Sequence, residues 1–193
     1  MKLGIDLDGV VIDSISTLLE IWNFENKSNY KPEDITKYDL SCIGIKDIAS
    51  YFQNHPEIYI YSKPYNDALN YLQKLYESGN KIYFITSRRD HELTEKWLDK
   101  HNINYNALLT KTDGLKGIIS KCLDLDIFID DYHKNLDDIV DFNKNIQVYL
   151  FDRPWNKKIK NYERVYSWNE FYEKVEKYKL NKLIYERFLG QKI

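Results

Sequence analysis

Short apolar runs alternate with segments of helical periodicity along most of the chain. Apolar residues recur at Ile15, Leu18, Leu19 and Trp22, the i, i+3, i+4, i+7 spacing that places them on one face of a helix. The run KIYFIT (81–86) is bounded by turn residues and is typical of a strand. The pattern predicts strands over 2–6, 81–86, 106–110, 126–130 and 146–151, and helices over 64–79, 90–101, 113–122, 134–143 and from Trp168 onward.

Strands that alternate with helices of about 10–15 residues predict a parallel sheet with helices on both faces. The stretch from about residue 14 to residue 62 interrupts this alternation, because it is polar and aromatic and contains Pro32 and Pro56. We therefore predict a Rossmann-like α/β core made of residues 1–13 and 63–193. Residues 14–62 would form a small, mainly helical cap inserted after the first strand.

Polar residues follow the predicted strands at their carboxyl ends, where parallel sheets bind their ligands. These residues are Asp6 and Asp8 after the first strand, Thr86 and Ser87 after the second, Asp130 and Asp131 at the fourth, and Asp152 and Arg153 after the fifth. Gly9 would let the chain turn closely around the site, and Leu7 would point into the core.

Carboxylates that converge on one crevice repel each other unless a cation is present, and hard oxygen ligands suit Mg²⁺. Neighbouring hydroxyls can hydrogen-bond a phosphate, and a lysine can neutralise it. One carboxylate can then attack phosphorus to form an aspartyl phosphate, while a second transfers the proton. This set of residue types favours Mg²⁺-dependent phosphoryl transfer.

Composition narrows the possible partners. The chain has 193 residues, 43% of them hydrophobic, enough for one domain with an insert. With a net charge of −2, the chain lacks the excess of basic residues that usually binds a nucleic-acid polymer. No run approaches the roughly 18 apolar residues of a membrane span. Carboxylates at positions 6 and 8 interrupt any signal-peptide core. We expect a cytoplasmic protein whose Cys42 and Cys122 are reduced, buried thiols.

Four short motifs, in this order along the chain, resemble those of the haloacid dehalogenase (HAD) superfamily of phosphatases, whose first motif is DxDG(V/T). They are Asp6-Leu7-Asp8-Gly9-Val10, Ile85-Thr86-Ser87, Lys116, and Phe128-Ile129-Asp130-Asp131. Each motif alone is weak evidence, but all four in order at strand ends form a specific pattern.

The resemblance implies a role for each of these positions. Asp6 would be the nucleophile, Asp8 the acid and base, and Thr86, with Ser87, would hold the phosphate. Lys116 would balance charge, with Lys111 as the alternative. Asp6, the Asp8 carbonyl and Asp131 would hold Mg²⁺ with Asp130 in support, although the sequence leaves open which of Asp130 and Asp131 binds the metal directly.

Within the superfamily, the chain looks most like the 5'(3')-deoxyribonucleotidases and their bacterial relatives, and the segment FDRPWN (151–156) is similar to those bacterial members. This implies a (deoxy)ribonucleoside monophosphate as substrate, with another small phosphorylated metabolite as the alternative. One departure concerns the base: Ser14 stands where those enzymes carry a stacking phenylalanine. Arg88 and Arg153 are possible substrate contacts, and an oligomer is possible.

Other functional classes explain the pattern less well. A phosphoacceptor signalling domain also carries an acidic pair, a hydroxyl and a lysine, but its acidic pair comes first and no cap interrupts the chain. A nucleotide-binding domain without turnover would be expected to lose a key carboxylate. A haloalkanoate dehalogenase has no need of Asp8.

Overall fold

The computed structural model describes residues 1–190 of the chain. The strands are β1 (Lys2–Ile5), β2 (Ile12–Asp13), β3 (Lys63–Pro64), β4 (Lys81–Ile85), β5 (Ala107–Leu109), β6 (Ile127–Asp130), β7 (Gln147–Phe151) and β8 (Arg164–Val165). The helices are α1 (Ser14–Asn26), α2 (Ile48–Asn54), α3 (Glu57–Tyr61), α4 (Ala68–Glu77), α5 (His91–Lys100), α6 (Lys116–Leu123), α7 (His133–Phe142) and α8 (Trp168–Gly190).

Six strands form one sheet in the order β5-β4-β1-β6-β7-β8, and every neighbouring pair is parallel. This confirms the predicted α/β class. The central position of β1, between β4 and β6, brings the residues after three strands to one edge. The sequence did not predict β8, because a strand of two residues is too short to show an alternating pattern.

The strands separate two apolar clusters, one on each face of the sheet. On β6, Ile127 and Ile129 pack into the cluster covered by α4, α5 and α8, whereas Phe128 packs into the cluster covered by α6 and α7. Gly4 of β1 faces Phe128, and a Cβ there would lie 2.3 Å from the phenylalanine ring. Helices therefore cover both faces, as predicted.

A third apolar cluster lies within the proposed cap. Its buried members come from α1, α3 and the segments between them: Ile15, Leu18, Leu19, Ile35, Leu40, Ile43, Ile45 and Ile58. The antiparallel pair β2–β3 joins Ile12 to Pro64 and Asp13 to Lys63, so it lies at both proposed boundaries of the cap. These contacts support the division at residues 14 and 62, which remains a proposal.

Two local predictions were wrong. The helix predicted over 64–79 begins only at Ala68, because Pro64 pairs with Ile12 in the β2–β3 ribbon. Cys42 is half-buried and Cys122 is exposed, so neither is the fully buried thiol expected. Among residues 1–190, no helix combines the length and the apolar character needed to cross a bilayer.

Candidate active site

Three buried carboxylates meet where β1 and β6 end. Asp6 follows β1 and donates its backbone N–H to the Ile129 carbonyl of β6 at 3.1 Å. Asp130 is the last residue of β6, and Asp131 follows it. One carboxylate oxygen from each of these aspartates lies within 4.8 Å of the others. The parallel pairing of two adjacent strands therefore assembles the acidic group that the sequence predicts.

Lys116 lies between two of these carboxylates. It is the first residue of α6, and its side chain is almost completely buried. Its Nζ donates to Asp6 Oδ1 at 2.7 Å and to Asp130 Oδ2 at 2.8 Å. Lys111, the alternative, is exposed and lines a separate groove beside His91. The structure thus brings Lys116, and not Lys111, to the acidic group.

The carboxylates affect each other's ionisation. Burial raises the pKa of Asp6 to about 7, with Lys116 opposing this change and Asp130 adding to it. Burial also raises the pKa of Asp131 well above its ordinary value, and the charges of Asp130 and Asp6 raise it further. A cation bound among these groups would remove the cost of keeping them ionised.

The hydrogen bonds distinguish Asp130 from Asp131. Both Asp130 oxygens are occupied: they accept from Lys116, from the Asn135 side-chain amide, and from the Tyr132 backbone N–H. Asp131 Oδ1 is buried and has no hydrogen-bond partner among the described residues. A buried carboxylate oxygen without a donor fits a hard cation such as Mg²⁺.

Asp8 lies on the solvent side of this group. Its side chain is 27% exposed, and both of its oxygens accept from Arg88, at 2.8 Å from Nε and 2.8 Å from Nη2. Arg88 is buried, and its guanidinium lies 4.9 Å from the centre of the Tyr59 ring. The structure therefore places Arg88 on Asp8 in a bidentate ion pair, a contact that the sequence did not indicate.

The hydroxyl pair lies at the end of β4. Thr86 is buried, and its Oγ1 accepts a hydrogen bond from the Arg88 backbone N–H at 3.3 Å. Ser87 is half-buried and lines the crevice beside Asp8. The residue that caps α5 is Asp90, whose side chain accepts from the Leu93 N–H, so Ser87 is not needed as a cap.

A crevice of about 150 Å³ lies between the core and the cap; we call it the active-site crevice. The core side consists of Asp8, Ser87, Arg88, Arg89 and Asp113, and the cap side of Tyr38, Ile48, Ala49, Phe52 and Tyr59. The acidic and basic groups thus face an apolar, aromatic wall.

Arg153 lies outside this crevice. Its Nε donates to the Gly9 carbonyl at 2.6 Å, and its guanidinium stacks on the rings of Tyr65 and Phe151 at 3.8 and 4.2 Å. Gly9 has a φ of +77°, and a Cβ there would lie 2.3 Å from Asp131 Oδ2. Only glycine fits this turn against the carboxylate.

The sequence did not indicate several contacts that the following residues make at the site. Asn135 donates to both oxygens of Asp130 from the first turn of α7. Trp155 and Asn156 donate to Asp131, at its side chain and its carbonyl respectively. Tyr38 of the cap stacks on Tyr132 with ring centres 3.7 Å apart. The one available signal was FDRPWN, whose position after the last long strand placed it at the correct sheet edge.

Comparison with the sequences of known proteins gives three findings. The family model "5' nucleotidase, deoxy (Pyrimidine), cytosolic type C protein" matches residues 1–181. The Bacillus subtilis (strain 168) protein "Putative nucleotidase YqfW" is 30% identical over 178 residues, which cover 88% of this chain and 91% of that one. A nucleotidase of Clostridium acetobutylicum is 27% identical over 186 residues, which cover 92% of this chain and 94% of that one.

A solved structure shows the same fold. A HAD-superfamily hydrolase from Ehrlichia chaffeensis superposes with a TM-score of 0.58 at 9% identity, covering 92% of this chain and 96% of that one.

Proposed function

The chain belongs to the family of cytosolic type C 5' nucleotidases, and we propose that it hydrolyses nucleoside monophosphates through a phosphorylated Asp6, with Mg²⁺ as cofactor. The family and its HAD-type fold confirm the resemblance and make the protein a hydrolase of phosphoric monoesters. The observation that carries the mechanism is the placement of Asp6, which pairs with Lys116 beside the carboxylates of Asp130 and Asp131. Asp8, two residues further along the chain, lines the crevice.

We assign the metal to the side chains of Asp6 and Asp131 and to the Asp8 carbonyl. Asp130, whose oxygens are already occupied by Lys116 and Asn135, would orient the lysine instead. The unpartnered Oδ1 of Asp131 supports this assignment. When bound, Mg²⁺ would offset the repulsion among the carboxylates and the charge on the phosphate oxygens.

The carboxylates account for both halves of the reaction. An Asp6 oxygen attacks phosphorus while the ester P–O bond breaks, and protonated Asp8 gives its proton to the departing oxygen, which leaves as an alcohol. A water molecule then attacks phosphorus and gives a proton to Asp8, and the bond between phosphorus and Asp6 breaks. Thr86, Ser87 and Lys116 would hold the phosphoryl oxygens during both steps.

Asp8 can act in this way only after its ion pair opens. Both Asp8 oxygens accept from Arg88, so the carboxyl group must rotate away before it can carry and donate a proton. Arg88 would then be free to hold a substrate oxygen, because its guanidinium lines the same crevice. Arg153 is not needed for substrate binding in this scheme.

The aromatic wall of the crevice supports a nucleotide as substrate. Phe52 and Tyr59 line the cap side next to Arg89, where a base could stack on a ring. Ser14, at the position of the expected phenylalanine, is buried beside Tyr38 in a small cavity of about 40 Å³. Tyr38 thus offers an aromatic surface close to where the family carries one.

The test is phosphate release from a panel of 5'- and 3'-nucleotides, sugar phosphates and small aliphatic esters, with and without Mg²⁺. We expect nucleotides to be preferred, Mg²⁺ to be required, and Asp6→Asn to lose at least about 10³-fold in kcat. Asp126→Asn is the matched control, because Asp126 precedes β6 at the opposite edge of the sheet and pairs with Lys182.

Two outcomes would contradict parts of the proposal. A preference for sugar phosphates would overturn the assignment of a nucleotide as substrate but would not contradict the phosphatase mechanism. An active Asp6→Asn enzyme, or acid-quenched wild-type enzyme without phosphate on Asp6 in the mass spectrum, would overturn the covalent mechanism.

A further inference from the structure

The segment FDRPWN (151–156) begins at the last residue of β7 and contacts both loops that carry the proposed metal ligands. We propose that Trp155 is a positioning residue that aims Asp131 at the metal, and that Arg153 and Asn156 hold the two ligand loops against each other. This inference rests on the proposed function, because it concerns the Mg²⁺ site of that reaction.

Trp155 fixes the orientation of the Asp131 carboxylate. Its indole Nε1 donates to Asp131 Oδ2 at 2.7 Å, while Oδ1 of the same group is buried without a donor. One oxygen is thus held and the other is left for a ligand. Hydrogen bonds of this kind, from a neighbouring side chain to a metal-binding carboxylate, set its direction and contribute to metal affinity.

Asn156 fixes the main chain of the same residue. Its amide nitrogen donates to the Asp131 carbonyl at 2.8 Å and to the Phe151 carbonyl at 2.8 Å. Arg164 of β8 in turn donates to the Asn156 side-chain oxygen at 2.7 Å. Asp131 is therefore attached at its backbone and at its side chain to one short segment.

Arg153 extends the attachment to the loop that carries Asp6 and Asp8. It donates to the Gly9 carbonyl at 2.6 Å, and Gly9 lies directly against Asp131. Together with the pairing of β1 and β6, the segment therefore holds Asp131 at its distance from the other proposed ligands. This role replaces the substrate contact that the sequence suggested for Arg153.

The decisive experiment compares Trp155→Phe with Trp22→Phe in the full chain. Both tryptophans pack against the apolar cluster of the cap, but Trp22 Nε1 is buried without a hydrogen-bond partner among the described residues. Each substitution removes one indole N–H and keeps an aromatic ring. Only the first removes a bond to Asp131.

Direct Mg²⁺ binding is measured by titration calorimetry without substrate. We expect Trp155→Phe to weaken Mg²⁺ binding by about 10- to 100-fold, and Trp22→Phe to leave it unchanged. The Mg²⁺ concentration for half-maximal activity should rise equally, with kcat largely restored at saturating Mg²⁺. A merely structural role would lower thermal stability without shifting this concentration.

A measurement on the unmodified protein does not depend on how the variants fold. In ¹H–¹⁵N spectra, the indole N–H signal of Trp155 should shift on Mg²⁺ addition, while that of Trp22 should not. Unchanged Mg²⁺ affinity in Trp155→Phe, equal weakening in both variants, or an unmoved Trp155 signal would overturn the inference. If the wild-type protein itself bound no Mg²⁺, the cofactor in the proposed function would fail, and the inference with it.

Discussion

The proposed reaction centre and the cap side of the crevice are built in opposite ways. In the proposed reaction centre, Asp6 and Asp130 come from strand ends and Lys116 from the start of α6, and all three are nearly inaccessible and paired with one another. The cap side uses α2 and α3, of seven and five residues, and half-buried side chains such as Phe52. Strands held on both sides define positions more rigidly than short surface helices do.

This difference separates two tasks. Groups on the sheet edge would decide whether phosphorus reacts, and groups on the cap would decide which molecule carries it there. A substitution in the reaction centre should then affect every substrate equally, whereas one on the cap should affect only substrates that reach it.

The largest expected effect is on Lys116. Lys116→Ala leaves Asp6 and Asp130 buried without their cation, so we expect a loss of about 3–5 kcal/mol in the free energy of unfolding. Activity should fall for all substrates alike. Urea denaturation measures the first effect, and phosphate release from several esters measures the second.

Lys96→Ala is the matched control for this prediction. Lys96 forms an exposed pair with Glu92 on α5, so its loss should cost less than about 1 kcal/mol. Equal losses in the two variants would show that burial of the Lys116 pairs does not have the importance we give it.

A smaller effect is expected on the cap side. Phe52→Ala should reduce kcat/KM for nucleoside monophosphates by about 1–3 kcal/mol, or roughly 5- to 150-fold, through lost base stacking. Turnover of a small aliphatic ester should not change. Tyr61→Ala, an exposed cap residue that does not line the crevice, serves as control. Equal losses for both ester classes would break the separation of tasks.

The smallest effect is the pH dependence of stabilisation by Mg²⁺. Burial raises the pKa of Asp6 from 3.8 to about 7, so between these pH values the folded protein keeps a proton that the unfolded chain has released. The free energy of unfolding of the metal-free protein should therefore decline as the pH rises through this range. The metal binds the ionised groups, so the rise in Tm that Mg²⁺ produces should grow between pH 5 and pH 8.

Thermal unfolding with and without Mg²⁺ at each pH measures this dependence. Asp126→Asn should preserve it, and Asp6→Asn should reduce it. A rise in Tm that stayed constant across this range would show that proton release does not accompany metal binding at the reaction centre.

Periodic features of the chain were predictable and short ones were not. The five long strands show runs of apolar residues that local patterns reveal. β2, β3 and β8 have two residues each, and pairing with distant segments defines them. The same limit explains the helix predicted from Pro64, since the sequence does not show that this residue pairs with Ile12.

The α/β fold and the carboxylates at its strand ends could be predicted from the sequence, because both follow from local order along the chain. The contacts of those groups could not, because they arise from tertiary packing. Arg88 lies 80 positions from Asp8, and Trp155 lies 24 positions from Asp131. Contacts over such separations depend on how the strands pack side by side, and local periodicity does not predict that arrangement.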